Sequence, residues 1–134
     1  MIKVEHLNKS YGSLHVLRDI NLEIADAEVV SIVGASGTGK TPLLQLLGTL
    51  DRPDDGHILY DTVDITTMDE KSLARFRNQN IGFVFQFHNL LPEFTALENV
   101  CLSALIAGRS MQEAESEAMS LLRFLNVENR ASHK

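Results

Sequence analysis

The sequence has few of the features that mark secreted, membrane-spanning or cysteine-metal proteins. Its one cysteine, Cys101, rules out an internal disulfide and a zinc site built from cysteines alone. Cys101 lies in an apolar stretch, so we expect a small buried side chain. No apolar run reaches the roughly 18 residues of a membrane-spanning helix, and residues 1–6 lack the apolar core of a secretory signal. We therefore expect no segment that crosses a membrane by itself.

Basic charge is also scarce. The chain carries 12 Lys and Arg residues against 18 Asp and Glu, a net charge of -6, whereas a dedicated nucleic-acid binder usually shows a basic patch. The five histidines lack the spacing of metal ligands. The hydrophobic share of 44% over 134 residues is ordinary for a single globular domain, and it argues against wholesale disorder.

A glycine-rich loop follows the apolar run at residues 29–33. Gly34, Gly39, Lys40 and Thr41 match the pattern G-x-x-x-x-G-K-[ST]. Glycines allow successive backbone N–H groups to cradle phosphates, the lysine adds positive charge, and the threonine hydroxyl suits Mg²⁺. The alternative is a strand-to-helix turn with an incidental lysine. We predict a phosphate site built from Gly34, Ala35, Ser36, Gly37, Thr38, Gly39, Lys40, Thr41 and Pro42.

Apolar periodicity predicts strands and helices around this loop. Apolar residues alternate with polar ones at 2–4 and at 20–24, which indicates half-buried antiparallel strands. The nearly continuous apolar run at 29–33 indicates a strand that is buried on both faces. The predicted strands cover 2–4, 20–24, 29–33, 58–60, 63–65 and 81–86. A leucine-rich helix follows the loop at 43–50.

Three further helices are predicted from capping boxes, in which two side chains satisfy backbone N–H groups at a helix start. The last of them would place an apolar stripe from Met111 to Leu125 against a partner. The three pairs are Thr67 with Glu70, Thr95 with Glu98, and Ser110 with Glu113.

Four segments together resemble the ATP-binding subunits of ABC transporters, and the resemblance covers essentially the whole chain. Residues 10–12 resemble the A-loop, 34–41 the Walker A loop, 78–86 the strand into the Q-loop, and 91–100 the entry to the helical subdomain. The resemblance implies an α/β fold of the P-loop NTPase, ABC nucleotide-binding type, in truncated form. It would comprise an antiparallel β subdomain, the Walker A strand-loop-helix and the start of the helical subdomain.

The same resemblance implies how the chain divides and which residues serve the site. Residues 1–134 would form a partial nucleotide-binding domain, with the β subdomain and P-loop core at 1–86 and the start of the helical subdomain at 87–134. Tyr11 would stack on the adenine of ATP, and Val16 would line the same pocket. Gln86 would reach Mg²⁺, which Thr41 also binds, and the attacking water. Lys40 and Gln86 would be the catalytic residues.

Each of these side chains has a plainer interpretation. Tyr11 could be a loop tyrosine, Val16 a core valine, and Gln86 a solvated residue at a strand end. The chain could also be an unrelated P-loop protein, such as a small kinase or GTPase. Tyr11, Gln86 and the strands before the P-loop favour the ABC type.

Residues 85–100 are most similar to ATPases that drive lipoprotein release from the inner membrane. ATPases of macrolide export and of cell-division complexes share much of this segment. The implied partners are transmembrane permease subunits and a second copy of the ATPase in a head-to-tail dimer, with no nucleic acid. The implied location is the cytoplasmic face of the inner membrane, as a peripheral protein.

The sequence departs from the family pattern in several places. Pro42 stands where a second hydroxyl residue is usual, and Ala27 stands where glycine is usual in the turn before residues 29–33. The sequence contains no Leu-Ser-Gly-Gly-Gln-type signature, no apolar strand ending in Asp-Glu and no switch histidine. We therefore expect this chain to bind ATP without hydrolysing it. The leading interpretation is an ATPase subunit that couples ATP binding and hydrolysis to transport, and the alternative is a non-hydrolysing nucleotide-binding fragment.

Overall fold

The computed structural model describes residues 1–35, 39–87 and 89–134. They form two compact units, Met1–Arg77 and Asn78–Lys134. Among the described residues, every helix is too short or too polar to cross a membrane.

The first unit contains a four-stranded antiparallel sheet with the strand order β2-β1-β3-β4. The strands are β1 (Ile2–Tyr11), β2 (Leu14–Ile24), β3 (Asp55–Tyr60) and β4 (Val63–Asp64). Strands β1 and β2 form a hairpin whose turn contains Gly12 with a φ of 62°. The strands predicted at 2–4, 20–24 and 58–60 are confirmed, and the one at 63–65 is shorter because Ile65 opens a 3₁₀ turn.

Helix α1 (Lys40–Leu47) and all but the last three residues of α2 (Glu70–Asn80) belong to the first unit. Helix α1 buries three leucines, and α2 contributes Leu73 to the same core. Alternation along β1 and β3 places apolar side chains on the face that these helices cover. The core comprises Val4, Leu7, Leu17, Leu43, Leu46, Leu47, Ile58, Ile65 and Leu73.

A buried hydrogen-bonded pair joins α2 to the end of α1. Thr49 is 3% exposed and has a φ of 64°. Arg77 donates from Nε to the Thr49 hydroxyl at 2.8 Å and from Nη2 to the Thr49 carbonyl at 2.7 Å. These bonds satisfy polar groups that would otherwise be costly to bury.

The second unit is a helical hairpin of α3 (Ala96–Ile106) and α4 (Met111–Phe124). They pack through Cys101, Ala114 and Ala118, where small side chains allow close approach. Cys101 is buried as expected, and desolvation raises the pKa of its thiol. The predicted stripe on α4 is confirmed only in part, because Met111, Leu121 and Leu125 are exposed.

Two of the three predicted helix caps are present. The capping box of Thr95 and Glu98 is complete, and Ser110 accepts a bond from the Glu113 N–H. The cap predicted at Thr67 is wrong. Asp69 caps α2 instead, accepting from the Ser72 N–H at 2.7 Å, while the Thr67 hydroxyl donates to the Asp64 carbonyl at 3.0 Å. Aspartate one residue before the helix supplies the same acceptor as threonine.

The strands predicted at 29–33 and 81–86 are not formed. Val29 is 96% exposed and Val33 is 86% exposed, while Val84 is wholly exposed. A strand exists only in a sheet, because its backbone groups need a neighbouring strand to bond with. The four described strands pair with one another, so these two apolar segments have no described strand beside them. The described residues that lead into the Walker A segment therefore do not form the strand predicted before it.

Candidate functional site

The glycine-rich loop leads directly into α1. Gly39 is the N-cap of this helix, with a φ of 96°, and its carbonyl accepts from the Leu43 N–H at 3.0 Å. Gly34 and Ala35 precede it as exposed loop residues. The predicted site residues Ser36, Gly37 and Thr38 lie outside the described residues, as does His88.

The end of the loop packs closely against β2. A Cβ at Gly39 would lie 2.9 Å from the Val16 carbonyl oxygen and 3.0 Å from Cδ2 of Leu17. Such a contact and the positive φ both restrict this position to glycine. The loop is thereby brought beside Val16, which is half-buried and also packs against the core of the first unit.

The first turn of α1 has the chemistry that a polyanion requires. It contains no acidic residue, and the backbone N–H groups at a helix start carry the positive end of the helix dipole. The Lys40 ammonium donates to the Gly34 carbonyl, so the positive charge of Lys40 lies next to the start of the glycine-rich segment. Thr41 is exposed and Pro42 is half-buried. These residues fit a bound phosphate chain, although Pro42 has no N–H to donate.

Tyr11 lies at the end of β1, on the same hairpin as Val16. Its side chain is not free: the hydroxyl donates to Oδ2 of Asp51 at 2.7 Å, and the Lys9 ammonium lies 5.2 Å from the ring centroid. The residue remains 44% exposed. The hydrogen bond to Asp51, together with partial desolvation, raises the pKa of the Tyr11 phenol.

Asp51 and Lys9 contact the predicted site residue Tyr11, and sequence patterns did not reveal these contacts. Partial burial pushes the pKa of Asp51 upward, but hydrogen bonds from Tyr11 and the Arg52 N–H, with the Lys9 charge, outweigh it and hold that pKa low. Asp51 lies 40 residues from Tyr11, in a stretch of turn residues. No local spacing signals a contact of this kind.

Comparison with known proteins assigns the family. The family described as ABC transporter matches residues 17–134. The chain belongs to this family. It is also similar to solved ABC cassettes: a dimeric ATP-binding cassette in a post-hydrolysis state with ADP and phosphate superimposes with a TM-score of 0.90 at 37% identity. That match covers 100% of this chain and 61% of the cassette, and it confirms the ABC-type fold.

Curated relatives support a narrower resemblance. The lipoprotein-releasing system ATP-binding protein LolD of Bacteroides thetaiotaomicron is 60% identical over 134 residues. The protein of the same name from Porphyromonas gingivalis is 56% identical over 134 residues. The chain spans 62% of the first of these relatives and 61% of the second. The resemblance to an N-terminal part of a LolD-like ABC ATPase is confirmed.

The remaining predicted site residue of the ABC cassette, Gln86, belongs to the second unit and is exposed. It follows the apolar segment that is not a strand. Across the described ranges, His, Cys, Asp and Glu residues form no group of three or more that could hold a metal ion. Binding of Mg²⁺ by Thr41 and Gln86 stays a prediction.

Proposed function

We propose that this chain is the nucleotide-binding part of an ABC transporter ATPase subunit that couples ATP binding and hydrolysis to lipoprotein release from the inner membrane. One observation carries the nucleotide-binding proposal. Helix α1 begins after Gly39, its first turn contains no acidic residue, and the Lys40 ammonium donates to the Gly34 carbonyl of the preceding segment. The identity to lipoprotein-releasing ATP-binding proteins supports the transport class.

In this proposal the first unit supplies most of the ATP contacts. The loop of residues 34–39 and the α1 N–H groups cradle the phosphates, Lys40 neutralises their outer charge, and Tyr11 and Val16 meet the adenine. Thr41 and Gln86 are the proposed Mg²⁺ ligands, and the ion would offset the negative charge of the phosphates. Lys40 and Gln86 are the proposed catalytic residues of the whole subunit.

The chain itself is proposed to bind ATP without hydrolysing it. Phosphoryl transfer to water needs a group that orients the nucleophile, and stabilisation of charge around the transferred phosphate. The sequence contains neither the Asp-Glu strand end nor the signature stretch that would supply these in the family. Turnover by this chain that disappears on Lys40→Ala substitution would refute the proposal.

Binding is tested by titrating the purified chain with a fluorescent ATP analogue in the presence of Mg²⁺. We expect saturable binding that Lys40→Ala weakens by about tenfold or more, because a charge-assisted contact is worth about 1.5–3 kcal/mol. Lys71→Ala is the matched control, since Lys71 is an exposed lysine on α2. Equal losses from both variants would refute a specific phosphate site.

The proposed partners are permease subunits in the inner membrane and a second copy of the ATPase, on the cytoplasmic face. Solved relatives described as dimeric cassettes support the second copy. Affinity purification of the chain from native membranes tests the assignment. Recovery of the permeases of a lipoprotein-releasing complex is expected, and recovery of macrolide-export or cell-division permeases instead would overturn it.

A further inference from the structure

The Tyr11 ring is held from two sides by residues of the first unit. Its hydroxyl donates to Oδ2 of Asp51 at 2.7 Å. Lys9 and Tyr11 are two residues apart on β1 and so share a face of the strand, which places the Lys9 ammonium 5.2 Å from the ring centroid. An ammonium at this distance is attracted to the face of an aromatic ring.

The groups that hold the ring are themselves fixed. The Lys9 ammonium donates to Oδ1 of Asp51 at 3.4 Å and to the Arg52 carbonyl at 2.8 Å, and its side chain is only 12% exposed. The Arg52 N–H donates to Oδ1 of Asp51 at 2.8 Å. Both oxygens of Asp51 are therefore engaged, one with the backbone and Lys9, the other with the tyrosine.

Two hydrogen bonds join the segment that contains Asp51 to β1. The Asp54 N–H donates to the Asn8 carbonyl at 2.9 Å, and the Ser10 N–H donates to Oδ2 of Asp54 at 2.6 Å. The bond to the tyrosine thus joins two backbone segments that already lie side by side. It orders the ring without requiring either segment to move.

This arrangement lies beside the glycine-rich loop. In the β1–β2 hairpin Tyr11 pairs with Leu14, and Val16, whose carbonyl meets Gly39, is two residues further along β2. Two residues of strand span roughly 7 Å. Tyr11 and the residue that contacts Gly39 therefore lie near each other on one hairpin, as the base and the phosphates of one nucleotide require.

We propose that Asp51 is a positioning residue, which with Lys9 orders the Tyr11 ring so that one face is covered by the ammonium and the other receives the adenine of a nucleotide. The proposal rests on the proposed function, because it deepens the role of Tyr11 there. A ring ordered before binding loses less conformational entropy when the base stacks on it. Ordering of the Tyr11 ring therefore strengthens binding of the base and does not change the affinity for the phosphates.

The test compares two ligands, Mg²⁺-ATP and Mg²⁺ with inorganic triphosphate, on the 134-residue chain. Tyr11→Phe removes only the hydroxyl, Asp51→Ala removes the acceptor, and Asp51→Asn retains a weaker acceptor. We expect the first two to weaken ATP binding by about twofold to tenfold, from the ordering cost of one side chain, and Asn to restore part of the loss. Triphosphate affinity is expected to stay unchanged in all three.

Two comparisons separate positioning from a structural effect. The double variant Tyr11→Phe with Asp51→Ala should bind ATP no more weakly than the worse single variant, because both remove one interaction. Ultraviolet titration of the tyrosines should show a lower pKa for Tyr11 after Asp51→Asn substitution, since the bond to Asp51 raises it. Asp61→Asn, an exposed aspartate bonded to the N-terminus, is the matched control and should change neither quantity.

The outcomes distinguish this proposal from the proposed function. If Tyr11→Ala weakens ATP binding while Tyr11→Phe and Asp51→Ala do not, the base stacks on the ring but positioning by Asp51 is refuted. If Tyr11→Ala has no effect while Lys40→Ala abolishes binding of both ligands, the phosphate site stands and stacking and positioning both fail. Equal losses for ATP and triphosphate in Asp51→Ala and Tyr11→Phe also overturn the proposal, because they indicate a disturbed fold.

Discussion

Pro42 is the residue of the glycine-rich segment whose chemistry is least suited to phosphate. It stands at the third position of α1, where the backbone N–H of any other residue would be free to donate. Proline keeps the helical backbone angle but removes that donor. The first turn of the helix therefore offers one hydrogen bond fewer than its length allows.

We expect Pro42→Thr to tighten ATP binding by about threefold to tenfold, which corresponds to the roughly 0.5–1.5 kcal/mol of a typical net hydrogen bond. Titration with Mg²⁺-ATP measures the change. Pro42→Ala recovers the N–H without a hydroxyl, so it separates the two contributions. If all three proteins bind equally, the missing N–H has no role in phosphate binding.

Asp51 shows why the site could be predicted only in part from the sequence. The glycine-rich loop could be predicted as a phosphate site because its glycines, Lys40 and Thr41 are close together in the sequence and their spacing follows from backbone geometry. The partner of Tyr11 comes from 40 residues away and is selected by the packing of the 51–54 segment beside β1. Contacts that depend on tertiary packing leave no periodic pattern in the chain.

At the scale of elements, the turn after β2 contains an unfavourable residue. Ala27 has a φ of 59°, and the Glu28 N–H donates to the Ala25 carbonyl at 3.2 Å across the turn. A left-handed conformation costs an L-residue about 1–2 kcal/mol, and glycine avoids that cost. This backbone angle is one that glycine adopts readily, and glycine is the residue usual in the family at this position.

We expect Ala27→Gly to raise the free energy of unfolding by about 0.5–1 kcal/mol, because relief of the angle exceeds the entropy that glycine adds to the unfolded chain. Urea unfolding measures it. Ala25→Gly is the matched control, because Ala25 lies in the same turn and does not have a positive φ. This substitution should lower the free energy of unfolding. A loss of stability in both variants would contradict the argument.

The loop before α3 is closed by one side chain. Asn99 accepts from the Leu91 N–H at 2.9 Å, and its amide donates to the carbonyls of Leu91 at 3.1 Å and Thr95 at 3.0 Å. A single side chain thus satisfies backbone groups at both ends of the segment. This role was not predicted, since an asparagine inside a helix is usually read as a weak helix former.

We expect Asn99→Ala to destabilise the second unit by about 1–3 kcal/mol, the cost of leaving such groups unsatisfied. Amide hydrogen exchange should show faster opening of residues 91–99 than of α4. Gln112→Ala, at an exposed position of α4, is the control. Unchanged exchange at 91–99 in Asn99→Ala would show that the loop is held by other contacts.

At the scale of the whole molecule, prediction succeeded where structure is local. The strand segments at 2–4 and 20–24 and the helices α3 and α4 follow from alternation, helical periodicity and caps within a few residues. The strand predictions at 29–33 and 81–86 were wrong for the opposite reason. Their apolar runs are typical of strands that are covered on both faces, and whether such a run becomes a strand depends on neighbours elsewhere in the chain.

These two segments expose apolar side chains that a folded domain normally covers. Val29 in the first unit is 96% exposed, and Val84 in the second is wholly exposed. Exposed contiguous apolar surface promotes association. We therefore expect the chain to self-associate as its concentration rises, in a manner that analytical ultracentrifugation detects.

Val29→Lys and Val84→Lys should weaken this association while changing the free energy of unfolding by less than about 0.5 kcal/mol, because a fully exposed side chain contributes little to folding. Thr62→Lys adds the same charge at an exposed loop position and should leave association almost unchanged. Strong destabilisation by Val84→Lys would show that the segment is buried in solution.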